Sequence, residues 1–407
     1  MKILSLLIAP LALAMPARQC PDSSSTTLKG YGRDNLSLTV YAAPSQMINV
    51  LDIYDNLLLT NRYVGFGAQM GVVTRPQGMD WYERAYNYPE FGLGLWWQPY
   101  ASALEYRGES HLGNILNLYG YGTWDFFKGR TISFGPAARV GVSIAGSKYD
   151  PVTNPANLYI GTNLEYLVAV GFEAGVRLTD RFSFTLAAMG VHHSNGKQGI
   201  PNYGLNEVSL SVGAKYNSGP VPERRDAGMA VPRPEVTDRL TISPYLGTGF
   251  HSCERLWNAR GREGFAPHYQ RIMAGADLAY RYHPLFSSGI GVDMVYTPSV
   301  AELRACDEWI YPCESASLDY APVYVGLSVF QRVYYKRVEL HVKLGRYLYK
   351  RLGKTEDWGM NYQKIGFRYS FANHVYLGFD MLAVGFDSSD CLEFSIGYDI
   401  TLLNRFK

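Results

Sequence analysis

The stretch RFSFTLAAMGVHHS, residues 181–194, alternates between larger apolar side chains and small or polar ones. Successive side chains of a β-strand point to opposite faces, so this alternation predicts a strand with one apolar surface. The even-numbered positions form the more apolar face, which is typical of the lipid-facing outside of a barrel. His192 and Ser194 share that face, roughly 7 Å apart at Cα, while His193 points inward.

Alternation of this kind recurs along the chain, and helical periodicity is almost absent. Eight strand candidates in the first half centre on 37–43, 63–73, 90–97, 114–123, 131–142, 164–177, 181–192 and 207–216. Eight more in the second half centre on 239–249, 267–282, 286–297, 320–332, 336–347, 361–371, 374–384 and 391–402. We therefore predict an all-β fold, an antiparallel up-and-down outer-membrane β-barrel.

The two halves of the chain resemble each other in the order and spacing of their strands. VGF at 170–172 matches IGF at 365–367, and FTLAAMGV at 184–191 lies over LGFDMLAV at 377–384. The offset stays at about 193–195 positions, which favours internal duplication. Eight strands is the smallest common size of a membrane barrel. The sequence thus predicts an eight-stranded barrel followed by a degenerate eight-stranded repeat, with one barrel of about sixteen strands as the alternative.

Composition divides the chain into four segments. Residues 1–17 have the features of an export signal peptide: the charge of Lys2, a short apolar run and a small-x-small cleavage site. We expect the first barrel over 30–217 and the second over 239–407. Between them, residues 218–238 hold four prolines and mixed charges, which predicts a linker. Because 38 Lys and Arg balance 36 Asp and Glu without a basic block, nothing suggests a nucleic-acid partner.

Five cysteines fit an oxidising compartment, and Cys306 and Cys313 are the expected disulfide, closing a small loop. Their spacing is not that of a zinc site. The six histidines outside the HHSNG stretch also lack partners at ligand spacing. We therefore predict no metal and no cofactor.

The polar end of the opening stretch carries a specific motif. HHSNG at 192–196 is followed by an acidic residue, Glu207, where the next strand begins. A His-x-Ser-Asn pattern at a strand end, with an acidic residue about a dozen positions later, resembles the outer-membrane lipid A 3-O-deacylases, also described as acyloxyacyl-hydrolase-like proteins. The strand layout extends the resemblance over roughly 35–217. It implies a barrel in the outer membrane of a Gram-negative bacterium, with lipid A of lipopolysaccharide as the substrate.

By position, the resemblance implies a Ser-His-Glu triad. Ser194 would be the nucleophile, His192 its general base and Glu207 the group that orients the histidine. The backbone N–H groups of Asn195 and Gly196 would form the oxyanion hole. The assignment agrees with general chemistry, because a serine hydroxyl needs an adjacent base, which benefits from a carboxylate that fixes its tautomer. Ester hydrolysis by this route requires no metal.

Glu207 fits the strand pattern least well of these residues. In 207–216 the apolar positions are even-numbered, so Glu207 lies on the opposite face unless a bulge precedes it. Asn206 and Asn202 are the alternative partners for His192. By the same parity, His193 is expected to be a structural residue inside the barrel.

The second half offers an internal comparison. Aligned on the repeat, Gly385, Asp387 and Cys391 occupy the positions of the histidine, serine and glutamate of the triad. This copy therefore lacks a triad and is predicted to be inactive. Its role would be structural, or it would bind the sugar of lipopolysaccharide.

These observations favour an outer-membrane serine esterase that removes an ester-linked acyl chain from lipid A. One alternative is a non-enzymatic outer-membrane barrel, a porin or an adhesin, in which the motif is incidental. A second alternative is an outer-membrane phospholipase that uses the same triad on a different ester. The sequence leaves open whether the protein forms a homodimer.

Overall fold

The computed structural model describes residues 36–48, 62–74, 80–100, 111–219, 231–259, 261, 268–354, 359–385 and 388–403. The predicted signal peptide and part of the predicted linker lie outside the described residues. Contacts divide the chain into two compact units, the first mostly before Pro234 and the second mostly after it. None of the helices in the described ranges is long and apolar enough to cross a membrane.

The first unit is a closed antiparallel barrel of eight long strands. Its elements are β1 (Leu36–Met47), β2 (Arg62–Val73), α1 (Trp81–Ala85), β3 (Glu90–Gln98), β4 (Ile115–Thr123), β5 (Phe127–Lys128), β6 (Ile132–Ala145), β7 (Leu164–Arg177), β8 (Phe182–Ser194) and β9 (Leu205–Asn217). Each long strand pairs with the next, and the two-residue β5 adds to the start of β6. Pairing of β1 with β9 closes the barrel.

The second unit repeats this architecture. Its elements are β10 (Leu240–Ser252), α2 (Glu254–Ala259), β11 (His268–His283), β12 (Phe286–Tyr296), α3 (Val300–Ile310), a 3₁₀ helix (Ser315–Ser317), β13 (Val323–Tyr335), β14 (Val338–Tyr349), β15 (Asn361–Ser370), β16 (Val375–Val384), β17 (Ser388–Tyr398) and β18 (Ile400–Leu403). Strand β10 pairs with β17 and with its short continuation β18, which closes the sheet. The predicted fold class, with eight strands in each half, is confirmed, and the sixteen-stranded alternative is wrong.

The outer face of each barrel is apolar, as the alternation predicts. Along β8, Phe184 is 52% exposed and Leu186 is 55% exposed, whereas the intervening Thr185 is 8% exposed. The same alternation of exposed and buried positions runs through β1 and β9. Exposed aliphatic and aromatic side chains are stable in this arrangement when lipid surrounds the barrel.

Polar and charged side chains fill the inside of each barrel. In the first barrel, Arg139 lies 4.6 Å from the ring centroid of Tyr41, and Lys215 forms an ion pair with Glu90. In the second barrel, Asp277 is fully buried among cationic side chains. Buried charges are tolerated where they are paired with an opposite charge or satisfied by hydrogen bonds. The described interiors are therefore packed polar cores.

One expectation about the cysteines is wrong. The structure contains no disulfide between Cys306 and Cys313. Cys306 lies on α3 with its side chain buried, whereas Cys313 follows the helix and is exposed. The helix holds the first thiol in the core, away from the exposed position of the second.

Candidate active site

The His-Ser pair lies where β8 ends. His192 is paired across the sheet with Val168 of β7, and Ser194, the last residue of the strand, is paired with Tyr166. His192 is half-buried and Ser194 is 8% exposed. Both belong to the even-numbered face of β8, which is exposed and largely apolar in the part of the strand before His192. The structure thus places these two side chains on the face that the sequence predicts.

The imidazole of His192 is held by Asn206. The two residues lie directly opposite each other on β8 and β9, and the Nδ1 atom of His192 is 2.8 Å from the Oδ1 atom of Asn206. An amide oxygen only accepts hydrogen bonds, so the proton sits on Nδ1 and the lone pair on Nε2. A histidine in this tautomer can accept a proton from a neighbouring hydroxyl.

Glu207 does not orient His192 in this structure, which corrects the expected triad. The register from β8 to β9 is continuous, with Glu207 opposite Val191, so no bulge reverses its face. Its side chain points into the barrel and is 1% exposed. There the carboxylate accepts hydrogen bonds from Tyr63 Oη, Tyr100 Oη (3.0 Å) and Gln98 Nε2 (2.5 Å). Of the two alternatives, Asn206 bonds to the histidine, and Asn202 lies in the loop before β9.

His193 is confirmed as an interior residue. It is 1% exposed, and its Nε2 atom lies 3.1 Å from the Oδ1 atom of Asn117 on β4. Its ring meets the ring of Tyr100 edge-on, with centroids 6.5 Å apart. These contacts fix the histidine within the barrel, on the opposite face of β8 from His192 and Ser194.

The residues after Ser194 form a fixed turn. Asn195 is fully buried, and its side-chain amide donates a hydrogen bond to the carboxylate of Glu165 on β7. That carboxylate also accepts hydrogen bonds from the backbone N–H of Thr162 at 3.3 Å and from its hydroxyl at 3.1 Å. Gly196 has a φ of 63°, a conformation that glycine adopts without steric cost. The oxyanion hole assigned to Asn195 and Gly196 stays a prediction, and this anchored turn is where it would form.

Another glycine near the site, Gly204, packs directly on His192. Gly204 has a φ of 69°, and a Cβ atom built on it would lie 2.8 Å from Cε1 of His192. The same Cβ would lie 2.8 Å from the carbonyl oxygen of His193. Sequence reasoning missed both Gly204 and Glu165 as neighbours of the site. Neither carries a local signal, because only the strand register and the path of the loop bring them to β8.

The equivalent region of the second barrel carries different residues. Gly385 follows β16 with a φ of 72°, and Cys391 is buried on β17. Asp387 lies outside the described residues. Inactivity of this copy stays a prediction. In the part of the chain that the structure describes, no group of three or more His, Cys, Asp or Glu side chains is arranged to hold a metal ion.

Comparison with known proteins gives two family matches. Residues 66–215 match the family model described as lipid A 3-O-deacylase (PagL), and residues 240–402 match the one described as acyloxyacyl hydrolase, C-terminal domain. No curated protein sequence matches the chain.

Among solved structures, the chain is similar to the outer membrane enzyme PagL, at 17% identity and a TM-score of 0.27 over 45% of this chain and 99% of that one. It is also similar to Neisserial surface protein A, at 12% identity and a TM-score of 0.28 over 45% of this chain and 96% of that one. A Rhodopseudomonas blastica porin mutant aligns at 9% identity and a TM-score of 0.18, over 90% of this chain and 100% of the porin.

Proposed function

We propose that this chain is an outer-membrane serine esterase that removes an ester-linked acyl chain from lipid A, since residues 66–215 match the lipid A 3-O-deacylase model and residues 240–402 match the acyloxyacyl hydrolase C-terminal domain. The observation that carries the proposal is the hydrogen bond between His192 and Asn206. His192 lies on the same face of β8 as Ser194. The hydrogen bond directs the unprotonated Nε2 of the histidine away from Asn206 and leaves it available to activate the serine.

The reaction follows from this arrangement. The Oγ atom of Ser194 attacks the ester carbonyl carbon while its proton passes to Nε2 of His192. The negative charge that develops on the carbonyl oxygen is stabilised by backbone N–H groups of the turn at 195–196. The bond between the acyl carbon and the sugar oxygen then breaks, and that oxygen leaves with the proton from His192. Water, deprotonated by the same histidine, hydrolyses the acyl-serine and releases the fatty acid.

The position of the pair suits a substrate that stays in the membrane. Connections at the end where β8 finishes are long, at 146–163 and 195–204, whereas the connection at its start, 178–181, is short. Long loops mark the outer surface of barrels of this kind. A nucleophile on the lipid-facing side at that level meets an ester whose acyl chain remains in hydrocarbon.

The packed interior argues against the porin alternative. Each described barrel holds eight strands, and side chains fill the inside of a barrel of that size. Arg139 is buried inside the first barrel, with its guanidinium within 4.6–5.5 Å of three aromatic ring centroids. No feature of the site favours a phospholipid over lipid A, so an assay of both esters decides between the enzymatic alternatives.

The test is mass spectrometry of lipid A from cells that express wild type, Ser194→Ala or the control Ser211→Ala. Ser211 is a buried serine on β9 with its side chain on the interior face. We expect lipid A to lose the mass of one acyl chain with wild type and with Ser211→Ala, and to stay intact with Ser194→Ala. Identical lipid A profiles for all three proteins would overturn the proposal.

A further inference from the structure

We infer that Asn206 is the positioning residue for His192, so that this chain supports its Ser-His pair with a neutral amide where a triad uses a carboxylate. The inference rests on the proposed function and refines its site. It starts from the 2.8 Å hydrogen bond between Nδ1 of His192 and Oδ1 of Asn206. Asn206 would act through the histidine and would not touch the reacting ester.

The backbone of Asn206 is held within the sheet, between β8 and the end of β1. Asn206 lies directly opposite His192 in the register between β8 and β9. On its other side, the backbone N–H of Ile48 donates to the carbonyl oxygen of Asn206 at 2.8 Å. Because the backbone of Asn206 lies between β8 and the end of β1, its side-chain amide oxygen is positioned to accept the hydrogen bond from the imidazole.

The loop before β9 restrains the imidazole from a second direction. Gly204 packs so closely on Cε1 of His192 that even a methyl group would not fit. Because Cε1 lies between the two ring nitrogens, contact there limits rotation of the ring. The amide and the glycine together therefore define one orientation of the histidine.

The acidic residues near the site are engaged elsewhere. Glu207 accepts hydrogen bonds from Tyr63, Tyr100 and Gln98 inside the barrel. Glu165, also on an interior face, accepts hydrogen bonds from Thr162 and Asn195. Neither carboxylate has a described hydrogen bond to His192, so Asn206 carries the orienting role in this structure.

The difference between an amide and a carboxylate has a chemical consequence. Both accept a hydrogen bond from the Nδ1–H group and so fix the tautomer. Only a carboxylate adds a negative charge beside the imidazolium that forms in the transition state. Asn206→Asp keeps the accepting oxygen and adds that charge, so kcat should be retained or raised. Asn206→Leu has similar volume without the acceptor, so kcat should fall.

The experiment measures release of fatty acid from purified lipid A by folded full-length wild type, Asn206→Leu, Asn206→Asp and Glu207→Gln. Folded barrel is quantified by its heat-dependent mobility in gels, and Asn206→Ala takes the place of Asn206→Leu if that variant does not assemble. We expect Asn206→Leu to lose about 10²-fold in kcat, the lower range for a lost general base, with KM changed by less than about 3-fold. Asn206→Asp and Glu207→Gln should keep the wild-type kcat or exceed it.

Three outcomes would overturn the inference. The first is a wild-type kcat in Asn206→Leu, and the second is an equal loss of kcat in Asn206→Leu and Asn206→Asp. The third is a loss of kcat in Glu207→Gln as large as that in Asn206→Leu. A readout independent of activity is the ¹⁵N spectrum of histidine-labelled protein in detergent. The Nδ1-protonated form of His192 should dominate in wild type and in Asn206→Asp but not in Asn206→Leu. A wild type that shows this form without cleaving lipid A would contradict the proposed function and leave the role of Asn206 supported.

Discussion

At the scale of single residues, His192 and His193 show how a strand separates neighbours in the sequence. One is half-buried on the outer face and bonds to Asn206, and the other is buried inside and bonds to Asn117. The two histidines have the same chemistry and differ only in the face of β8 they occupy. The same substitution made at His192 and at His193 therefore tests the site, because the two variants differ only in the face of β8 from which a histidine is removed.

We expect His192→Gln to lower kcat for lipid A by about 10²- to 10⁴-fold, because glutamine cannot take up the serine proton. His193→Gln keeps a hydrogen-bonding group near Asn117 and should lower thermal stability slightly, with kcat within about 3-fold of wild type. Fatty acid release per folded molecule measures the first effect, and the unfolding temperature measures the second. Equal kcat values in the two variants would contradict the assignment.

Parity explains which site residues could be predicted from the sequence. The faces of His192, His193 and Ser194 follow from counting along one strand, and the structure agrees with each. The partner of His192 depends on the pairing of two strands, where an error of one position exchanges Asn206 for Glu207 and reverses the face. The motif named the acidic residue, strand parity offered Asn206 and Asn202 as alternatives, and the cross-strand register decides for Asn206.

At the scale of elements, alternation predicted the long strands but not the helices. Eight strands were expected in each half, and eight long strands form each barrel. The helices α1, α2 and α3 contain only five, six and eleven residues. Helical periodicity becomes visible over windows of about 11–18 residues, so α1 and α2 are too short to show it and α3 only reaches the shortest window. The disulfide expected at Cys306 failed for the same reason, since it lies on the unrecognised α3.

The loop between β8 and β9 should require glycine at 204 for activity. In Gly204→Ala the added methyl would overlap His192, displace the ring and lower kcat. The matched control is Gly261→Ala, since Gly261 has a φ of 73° and no atom of the described residues lies within 4 Å of its built Cβ. Both variants should lose about 1 kcal/mol of stability from the left-handed backbone, measured by denaturant unfolding. Only Gly204→Ala should lose fatty acid release, and an equal loss in Gly261→Ala would contradict this role.

At the scale of the whole molecule, the duplication was visible in the sequence, but the closure of each half was not. Whether sixteen strands make one barrel or two depends on how the first and last strands of each half pair. In the structure β1 pairs with β9, and β10 pairs with β17. These paired strands are distant in the chain. The hydrophobic alternation of a strand is the same in one barrel of sixteen strands as in two barrels of eight, so the pattern alone could not decide between the two architectures.

The packed interior of the second barrel leads to a prediction about stability. Asp277 is fully buried and accepts from three cationic side chains, Arg332 Nη2 (2.6 Å), Lys343 Nζ (2.6 Å) and Arg368 Nη2 (2.5 Å). Asp277→Asn removes a charge that compensates all three cations, and breaking buried pairs in this way costs about 3–5 kcal/mol. Asp319→Asn is the control, since its ion pair with Arg351 is exposed and should contribute about 0–1 kcal/mol.

Denaturant unfolding of the full chain in detergent, followed by heat-dependent gel mobility, measures both variants. We expect a large loss of stability in Asp277→Asn and almost none in Asp319→Asn. Because the proposed catalytic residues lie on β8, fatty acid release per folded molecule should match wild type in both. Equal stability of the two variants would mean that the ion pairs of the second barrel do not hold its core together.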